Sequence, residues 1–487
     1  MAECGFAKIV VNDTFNAEYP FGRDLEGRFL YLREGKQQWL LATFDFSYRF
    51  RRTCQRWAEA ISDAIGIPVN TIWQHDSQSH SAPIAPMLDG EPCECLIEAS
   101  LPAVREAIAR AEEAEVCYAI ADLGTDWNMC REQYVPGLGA VTVWSGLEFA
   151  PDGRPFTQDP SIMLLADWKP DLPAFNEPIY FDRPADPQGA LIVFRSRRSR
   201  QVLGHISRFA AHPDIVGAAT THSRKPGEYA MSEYHYDPDW PGDLREACEA
   251  ELGGIGLSIC GPTGNLSAKK HWPYGYRAGV EESRRVGSGV AERCLRAFHE
   301  CGNDWAPARL LGMAQSRLQL PMRPAVPRSH AELIATQQRK VEEYRDAYRS
   351  AIAAGEPAYR IKRLIDDYYM WTCMDRIVDR WAGISDEEMA QRALTADVEA
   401  VRLNDVVLAG LPGENLTQTN GWLKANSLGD NLITLDAING YTVYMTTREQ
   451  YDLGGYSYWC SALSRDASPV LWDGALKTIR QAWRGQQ

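Results

Sequence analysis

The sequence lacks an excess of positive charge. Its 51 lysines and arginines face 65 aspartates and glutamates, a formal charge of −14, so the broad attraction to phosphate on which nucleic-acid binders rely is missing. It has no run of 18 or more apolar residues, which argues against a membrane-spanning helix. Its opening stretch, MAECGFAKIVVNDTF, places no basic segment ahead of an apolar one, so no export signal is expected. The 12 cysteines include no CxxC pair. Cys93 and Cys95 alone lack the second ligand pair of a zinc site, and reduced thiols in the cytoplasm are the simplest reading. Internal repeats, sustained heptads and low-complexity tails are also missing. What is left is an acidic globular composition that suits a cytoplasmic protein with a small-molecule partner, without nucleic acid or membrane. Nothing decides the oligomeric state, and a homo-oligomer stays open.

Apolar runs broken by turns (FAKIVVND, RFLYLRE, QQWLLATFDF) predict strands that lead to Asp45. From Tyr48 to Ile65, the residues Phe50, Cys54, Trp57, Ile61 and Ile65 recur at steps of three and four and stop at Gly66, the pattern of a helix. IPVNTIW then reads as a strand running into the polar string QHDSQSHSAP. LPAVREAIARAEEAE predicts a helix, CYAIAD a strand, and Pro151 to Pro187 a long covering loop. GALIVFRSRRSRQVLGHISRFAAHP reads as a hairpin turning at Arg197 to Arg200. DWPGDLREACEAELGGIGLSICGPTGNLSAKKH reads as helix, buried strand and Gly-rich loop. Charged helices fill Ser329 to Ala400, and VRLNDVVLAG reads as a strand ending at a Pro-Gly turn. Together these predict a mixed α/β (α+β) fold: a single large domain over residues 1–487 with a helical insertion at 325–400. Sites are expected beyond the strand ends.

Chemistry concentrates at four such ends: His75 and His80 in the polar string, His212 before Pro213, the Gly264 to Ser267 loop, and Glu414 with Tyr444. Two histidines and a carboxylate are the usual set that holds a catalytic zinc and leaves a position for water. Each residue also has a plainer reading. His212 could end a strand by bonding a backbone carbonyl, Glu414 could be an exposed turn carboxylate, and Tyr444 could be a packed aromatic. Ser267 needs a base before it becomes a nucleophile. His271 is a candidate for that base, and Lys269 and Lys270 could hold an anionic group.

The segments Pro412-Gly413-Glu414 and Asn439-Gly440-Tyr441-Thr442-Val443-Tyr444 resemble the neutral (non-lysosomal) ceramidase family, in which a P-G-E turn and an N-x-Y-x-x-Y loop bring Glu and Tyr to a zinc ion. His212-Pro213, followed by Asp239-Trp240-Pro241-Gly242, matches the family's H-P and D-x-P-G pair, whose His binds the metal. Ser77-Gln78-Ser79-His80-Ser81-Ala82-Pro83 aligns with T-H-T-H-S-G-P, so Gln78 replaces a ligand His. Gly264-Asn265-Leu266-Ser267 aligns with G-D-V-S, whose Ser takes part in catalysis.

The resemblance implies a zinc or other divalent metal held by His212, Glu414 and Tyr444, with His80, His75 or Gln78 in place of the missing His. His75 or His80 is implied as proton shuttle, and Tyr444 and Ser267 as stabilisers of an oxyanion. The implied activity is metal-dependent hydrolysis of an amide or ester in a small polar cytosolic metabolite. An acyltransferase, a biosynthetic lyase, or a non-catalytic ligand-binding relative remain alternatives. The family's export signal and C-terminal immunoglobulin-like domain have no counterpart here, which makes a membrane sphingolipid an unexpected substrate.

Overall fold

A computed structural model describes residues 1–83, 91–135, 139–142, 185–221, 234–270, 275–301, 304–356 and 383–485, together with 361, 363, 364, 367, 368, 371 and 381. The N-terminal part supplies strands β1 (Glu3–Val10), β2 (Glu26–Glu34), β3 (Gln37–Phe44), β4 (Ile72–Asp76), β5 (Glu112–Asp122), β6 (Asn128–Cys130), β7 (Glu132–Val135) and β8 (Gly139–Thr142). The middle adds β9 (Gln188–Ser196), β10 (Val202–Phe209), β11 (Ile255–Cys260), β12 (Leu266–Ala268) and β13 (Ala306–Pro307). The C-terminal part adds β14 (Leu310–Pro321), β15 (Ala393–Leu403), β16 (Val406–Gly410), β17 (Glu414–Asn415), β18 (Leu432–Leu435) and β19 (Tyr444–Met445).

The large sheet runs β11-β10-β9-β5-β1-β2-β3-β4, with β13 beside β5. It is pinched at the centre, where β1 meets β5 only through Glu3 and Cys4 opposite Glu113 and Glu112. The two halves therefore fold over each other. Side chains alternate along each strand, and both faces are used. Leu30 and Leu32 of β2 and Trp39 and Leu41 of β3 share a core with Ile192, Phe194, Ile206 and Leu257 of the other half. The alternate residues Phe29, Tyr31, Leu40 and Ala42 pack on Trp57, Ile61 and Val104 of the helices Arg51–Ile65 and Glu91–Ala109. On the far side, Leu191 and Val193 meet Trp240, Leu244, Val286 and Val290 of the helices Asp239–Leu252 and Tyr276–Glu300. The result is a helix, sheet, sheet, helix stack. Each large side chain buried in it contributes about 1.5–3 kcal/mol.

A second sheet, β14-β15-β16-β18, sends Val401, Leu403, Val406, Leu408, Ile433 and Leu435 into the central core. Its other face, with Val398, Ala400, Val407 and Ala409, lies on Leu471, Ala475 and Ile479 of the helix Ala467–Arg484. Because β10 and β11 are parallel and β16 and β18 are parallel, four carboxyl ends point the same way in pairs. The end of β4 joins them: the His75 ring meets the backbone of Cys260 and Asp436. Polar loops leave from this convergence of strand ends.

Three sequence expectations change. The acidic EEAE stretch is strand, not helix: the helix stops at Ala109, and Glu112 and Glu115 begin β5, where they bond Ser196 and Arg195. VRLNDVVLAG is two strands, because Asn404 takes a left-handed turn (φ 50) that folds β16 back on β15. The stretch expected to be helical through residue 400 contains the helices His330–Ala353 and Asp386–Gln391, started by Ser329 and by a Ser385/Glu388 capping box, but β15 takes over at Ala393. The loop expected at Pro151 to Pro187 lies outside the described residues up to position 184. Among the described residues, no helix is long and apolar enough to cross a membrane.

Candidate active site

His212 follows β10 and is fixed on three sides. Its backbone bridges to Ser267 of β12, and its N–H donates to the Leu266 carbonyl at 3.0 Å. Its ring Nδ1 faces two carbonyls, Thr263 at 2.8 Å and Leu266 at 3.1 Å. Carbonyls only accept, so Nδ1 carries the proton and Nε2 of the neutral ring carries the lone pair. Nε2 lies 2.8 Å from Glu414 Oε2 and 3.3 Å from the Tyr444 hydroxyl, and a nitrogen lone pair and a carboxylate oxygen that close need a proton or a cation between them.

Glu414 and Tyr444 are brought together by backbone, not by chance. β17 and β19 are two-residue strands that pair in parallel with Glu414 directly opposite Tyr444, so their side chains share a face. The Glu414 N–H donates to the Val443 carbonyl at 3.0 Å. Gly413 before it adopts φ 59, and a Cβ there would come within 2.3 Å of the Val443 oxygen, so the P-G-E turn needs its glycine. Burial alone would raise the Glu414 carboxyl. The His212 ring beside it, a hydrogen bond from Tyr444 and the charge of Arg131 outweigh that and hold it below the usual carboxylate range. Behind Tyr444, the buried Arg131 donates through Nη2 to the Tyr444 hydroxyl at 2.8 Å and to the Gly264 carbonyl at 2.9 Å. The Tyr456 ring lies 5.4 Å from the Arg131 guanidinium and 5.6 Å from the Tyr444 ring.

His80 stands beside this trio with its ring centre 5.5 Å from that of His212. It is exposed. Nδ1 donates to the Gln78 carbonyl at 2.9 Å, which leaves Nε2 as its basic nitrogen. The loop that carries it is tied down by Ser79 Oγ donating to the Asp237 carbonyl at 2.7 Å and by the His80 N–H donating to the Pro213 carbonyl at 2.8 Å.

Gln78 and His75 do not join the cluster. The Gln78 carbonyl oxygen Oε1 accepts the Thr263 hydroxyl at 3.0 Å, on the Nδ1 side of His212 and away from the lone pair. The expected ligand role for Gln78 is thereby corrected. His75 is fully buried, with Nε2 accepting the Cys260 N–H at 3.1 Å and Nδ1 donating to the Asp436 carbonyl at 3.0 Å. With both nitrogens engaged it has no lone pair for a shuttle, which corrects its expected catalytic role.

Burial pushes the His75 imidazolium down to about 4. A folded value below the unfolded one stabilises the protein above about pH 6.5, and that stability drains away as pH falls toward 4. His75→Gln is therefore expected to flatten the acid limb of a stability–pH curve by about one proton, with a change of up to ~3 kcal/mol. Thermal denaturation at pH 4 to 7 checks it, and an unaltered acid limb would contradict it.

Ser267, the bridge partner of His212, is buried, and its Oγ has no hydrogen-bond partner among the described residues. His271 lies outside the described residues. Lys269 Nζ donates to the Thr125 carbonyl at 3.0 Å. Lys270 is not free for an anionic substrate group: its Nζ is buried 2.6 Å from Asp214 Oδ1. Burial would raise the Asp214 carboxyl, but Lys270, His80 and His212 together hold it at about 2. Tyr441 packs in the core against Tyr48.

Sequence reading missed Arg131, Asp214 and Asp436. Asp436, at the end of β18, accepts the Thr263 N–H at 3.0 Å, the Asn415 N–H at 3.0 Å and Asn415 Nδ2 at 2.7 Å. It thus ties the loop that orients His212 to the strand that carries Glu414. The signal available was a lone carboxylate after the apolar run LITL. Arg131 had none beyond being a charged residue between short apolar stretches.

The donor set suits a divalent metal. His212 presents Nε2 while its other nitrogen is held by backbone, as metal-bound histidines do, and the Glu414 and Tyr444 oxygens lie 2.8 and 3.3 Å from that Nε2. The third donor is a phenol: among the described residues, no group of three His, Cys, Asp or Glu side chains converges.

Two solved structures share this architecture. Neutral ceramidase from Pseudomonas aeruginosa superposes over 100% of this chain and 74% of its own, with a TM-score of 0.61 and 12% identity. A ceramidase complexed with C2 superposes over 99% of this chain and 75% of its own, with a TM-score of 0.62 and 12% identity. The chain therefore has a ceramidase-like fold, mixed in helix and sheet. No family model matches the sequence, and no curated protein matches it.

Proposed function

We propose that the chain is a metal-dependent hydrolase, with zinc as first choice, that cleaves an amide or ester bond in a small polar metabolite. The observation that carries this reading is the convergence of His212 Nε2, the Glu414 carboxylate and the Tyr444 hydroxyl. The fold supports it, since the similar structures are ceramidases. A metal held by His212, Glu414 and Tyr444, with His80 completing the set or standing by as base, would supply a Lewis acid and acidify a water.

The chain's own residues do the rest. His80 Nε2, kept unprotonated because desolvation and the neighbouring His212 push its imidazolium down to about 4, is placed to take a proton from the attacking water and return it to the leaving amine or alcohol. Arg131, with a permanent charge, donates to the Tyr444 oxygen and so holds the phenol turned toward His212 and Glu414. Asp214 and Lys270 form a closed ion pair beside the histidines, and Arg131 lines the same region. Charge of this kind favours a polar substrate over a long apolar one.

The test incubates zinc-loaded and chelator-stripped protein with a panel of small amides and esters, with and without a primary amine as acceptor. Release of free acid that depends on the metal is the expected result. Product formed only on the added amine would replace hydrolysis by acyl transfer. No turnover together with no bound metal would end the proposal.

A further inference from the structure

His80 sits in a loop outside any strand or helix, so its direction depends on what that loop is tied to. Its Nδ1 bonds the Gln78 carbonyl within the loop, and Nε2 therefore points where the loop backbone sends it. Both neighbours of His80 are tied to one peptide group. Ser79 Oγ donates to the Asp237 carbonyl at 2.7 Å and Ser81 Oγ at 3.3 Å, while the Asp237 N–H donates to the Ser81 carbonyl at 2.9 Å. Two residues on, the Asp239 carboxylate accepts the Val216 N–H at 2.7 Å, fixing the start of the helix Ile215–Thr221. That helix backs His80 closely: a Cβ on Gly217 would come within 2.9 Å of the His80 carbonyl. Residues 237–239 thus brace the His80 loop from two sides.

What holds this brace comes from the other end of the chain. The loop between β1 and β2 runs beside it, with the Tyr236 N–H donating to the Pro20 carbonyl at 2.8 Å and the Gly22 N–H to the Tyr236 carbonyl at 2.9 Å. Arg23 of that loop spreads its guanidinium over two buried carboxylates. Nε and Nη2 donate to Asp237 at 2.9 and 2.6 Å, and Nη1 and Nη2 donate to Asp243 at 2.7 and 3.2 Å. Neutral donors help: the Tyr276 hydroxyl and the Asp239 N–H reach Asp237, and Ser283 Oγ reaches Asp243. Among the described residues, however, Arg23 is the only cation paired with Asp237, and Asp243 has besides it only the exposed Arg284 at 3.9 Å. Without Arg23, two neighbouring buried anions would be driven toward water by burial and mutual repulsion.

We propose that Arg23 is a positioning residue for the candidate active site: through Asp237 it fixes the direction of His80 Nε2. The proposal rests on the reading of His80 as proton carrier. Arg23 bonds none of His212, Glu414 and Tyr444 among the described residues, so it acts on that proton transfer through the loop and leaves the trio in place.

The test compares Arg23→Gln with Arg195→Gln in the whole protein. Arg195 is as buried as Arg23, 19% against 17% exposed, and it pairs with Glu115 at 2.8 Å. It lies opposite Val202 at the start of β10, the end away from His212, so it matches the loss of an ion pair without touching the His80 loop. Backbone hydrogen exchange over residues 77–82 should quicken by about tenfold or more in Arg23→Gln, the worth of one charged hydrogen bond, and should keep the wild-type rate in Arg195→Gln. With a substrate from the amide and ester panel, kcat should fall by about tenfold or more with KM unaltered, again only in Arg23→Gln. Arg23→Lys keeps a charge between the carboxylates without the double fork, and it serves if the Gln variant does not fold: the same two changes are expected, smaller in size. Equal exchange over residues 77–82 in the wild type and the Arg23 variants overturns the proposal. Faster exchange with unaltered kcat also overturns it, as does an equal loss of kcat in Arg195→Gln, which would trace the effect to general stability. A wild type that turns over nothing refutes the hydrolase reading instead, and exchange alone then decides whether Arg23 sets the loop.

Discussion

With the metal site proposed above, Glu414→Gln should yield a folded protein that binds no metal and has lost at least about 10³-fold of its hydrolytic rate, the several kcal/mol that a Lewis acid supplies to a transition state. The fold should survive because the replacement has the same shape and finds a partner. His212 spends its proton on the Thr263 and Leu266 carbonyls, so its Nε2 can accept the new amide N–H as readily as it faced the carboxylate. A neutral hydrogen bond from the amide to Nε2 then stands where the carboxylate stood, a change of about 1 kcal/mol in stability. The charge does not survive, and with it goes one of the three donors. Metal content by mass spectrometry, Tm and the rate of acid release should be measured on the same preparation. Full activity in this variant would remove Glu414 from the site.

Asp436→Asn should damage both stability and rate. The carboxylate receives three N–H groups, from Thr263, from the Asn415 backbone and from the Asn415 side chain. An amide has one acceptor oxygen, and its own N–H₂ would be pressed against donors. Buried donors left without acceptors cost about 1–3 kcal/mol each, so a loss of about 2–4 kcal/mol is expected. Asp436 touches neither His212 nor Glu414 through its side chain, so it is a positioning residue. It acts through Thr263, whose carbonyl orients the His212 ring, and through Asn415, the neighbour of Glu414. A shift of about 1 Å at a catalytic group can cost about 10²-fold in rate, and that loss should fall on kcat more than on KM. Kinetics at low temperature, where the variant is folded, separate the two effects. Normal kcat there would mean that Asp436 holds the fold and leaves the site alone.

The helix, sheet and hairpin order was legible where local pattern matches tertiary use. Phe50 to Ile65 repeats every three to four residues because one face of that helix is buried, and the hairpin at Arg197 to Arg200 announces itself by polar residues between apolar runs. The acidic start of β5 was not legible. Glu112 and Glu115 look like the end of a charged helix, and only β9, brought alongside by the fold, makes them strand residues. The NGYTVY and PGE segments could be placed at the site by resemblance, and the two-residue pairing of β17 with β19 supplies the physical reason that they meet. His75 was misleading for the opposite reason: a histidine at a strand end reads as reactive until both nitrogens are seen to bond backbone. Gln78 likewise turns to Thr263, a partner 185 positions along the chain, which no local pattern reveals.

The contacts that make the site are all distant in sequence. His212 and Glu414 are 202 residues apart, and Arg131 and Tyr444 are 313 apart. Closing such loops is slow and gains nothing until the surrounding sheets are in place. No fragment of the chain and no early intermediate can therefore hold Nε2, the carboxylate and the phenol together. During refolding, helical signal should return first, and recovery of the catalytic rate should coincide with the slowest structural phase. Turnover thus serves as a clock for completion of the whole molecule, not for any part of it.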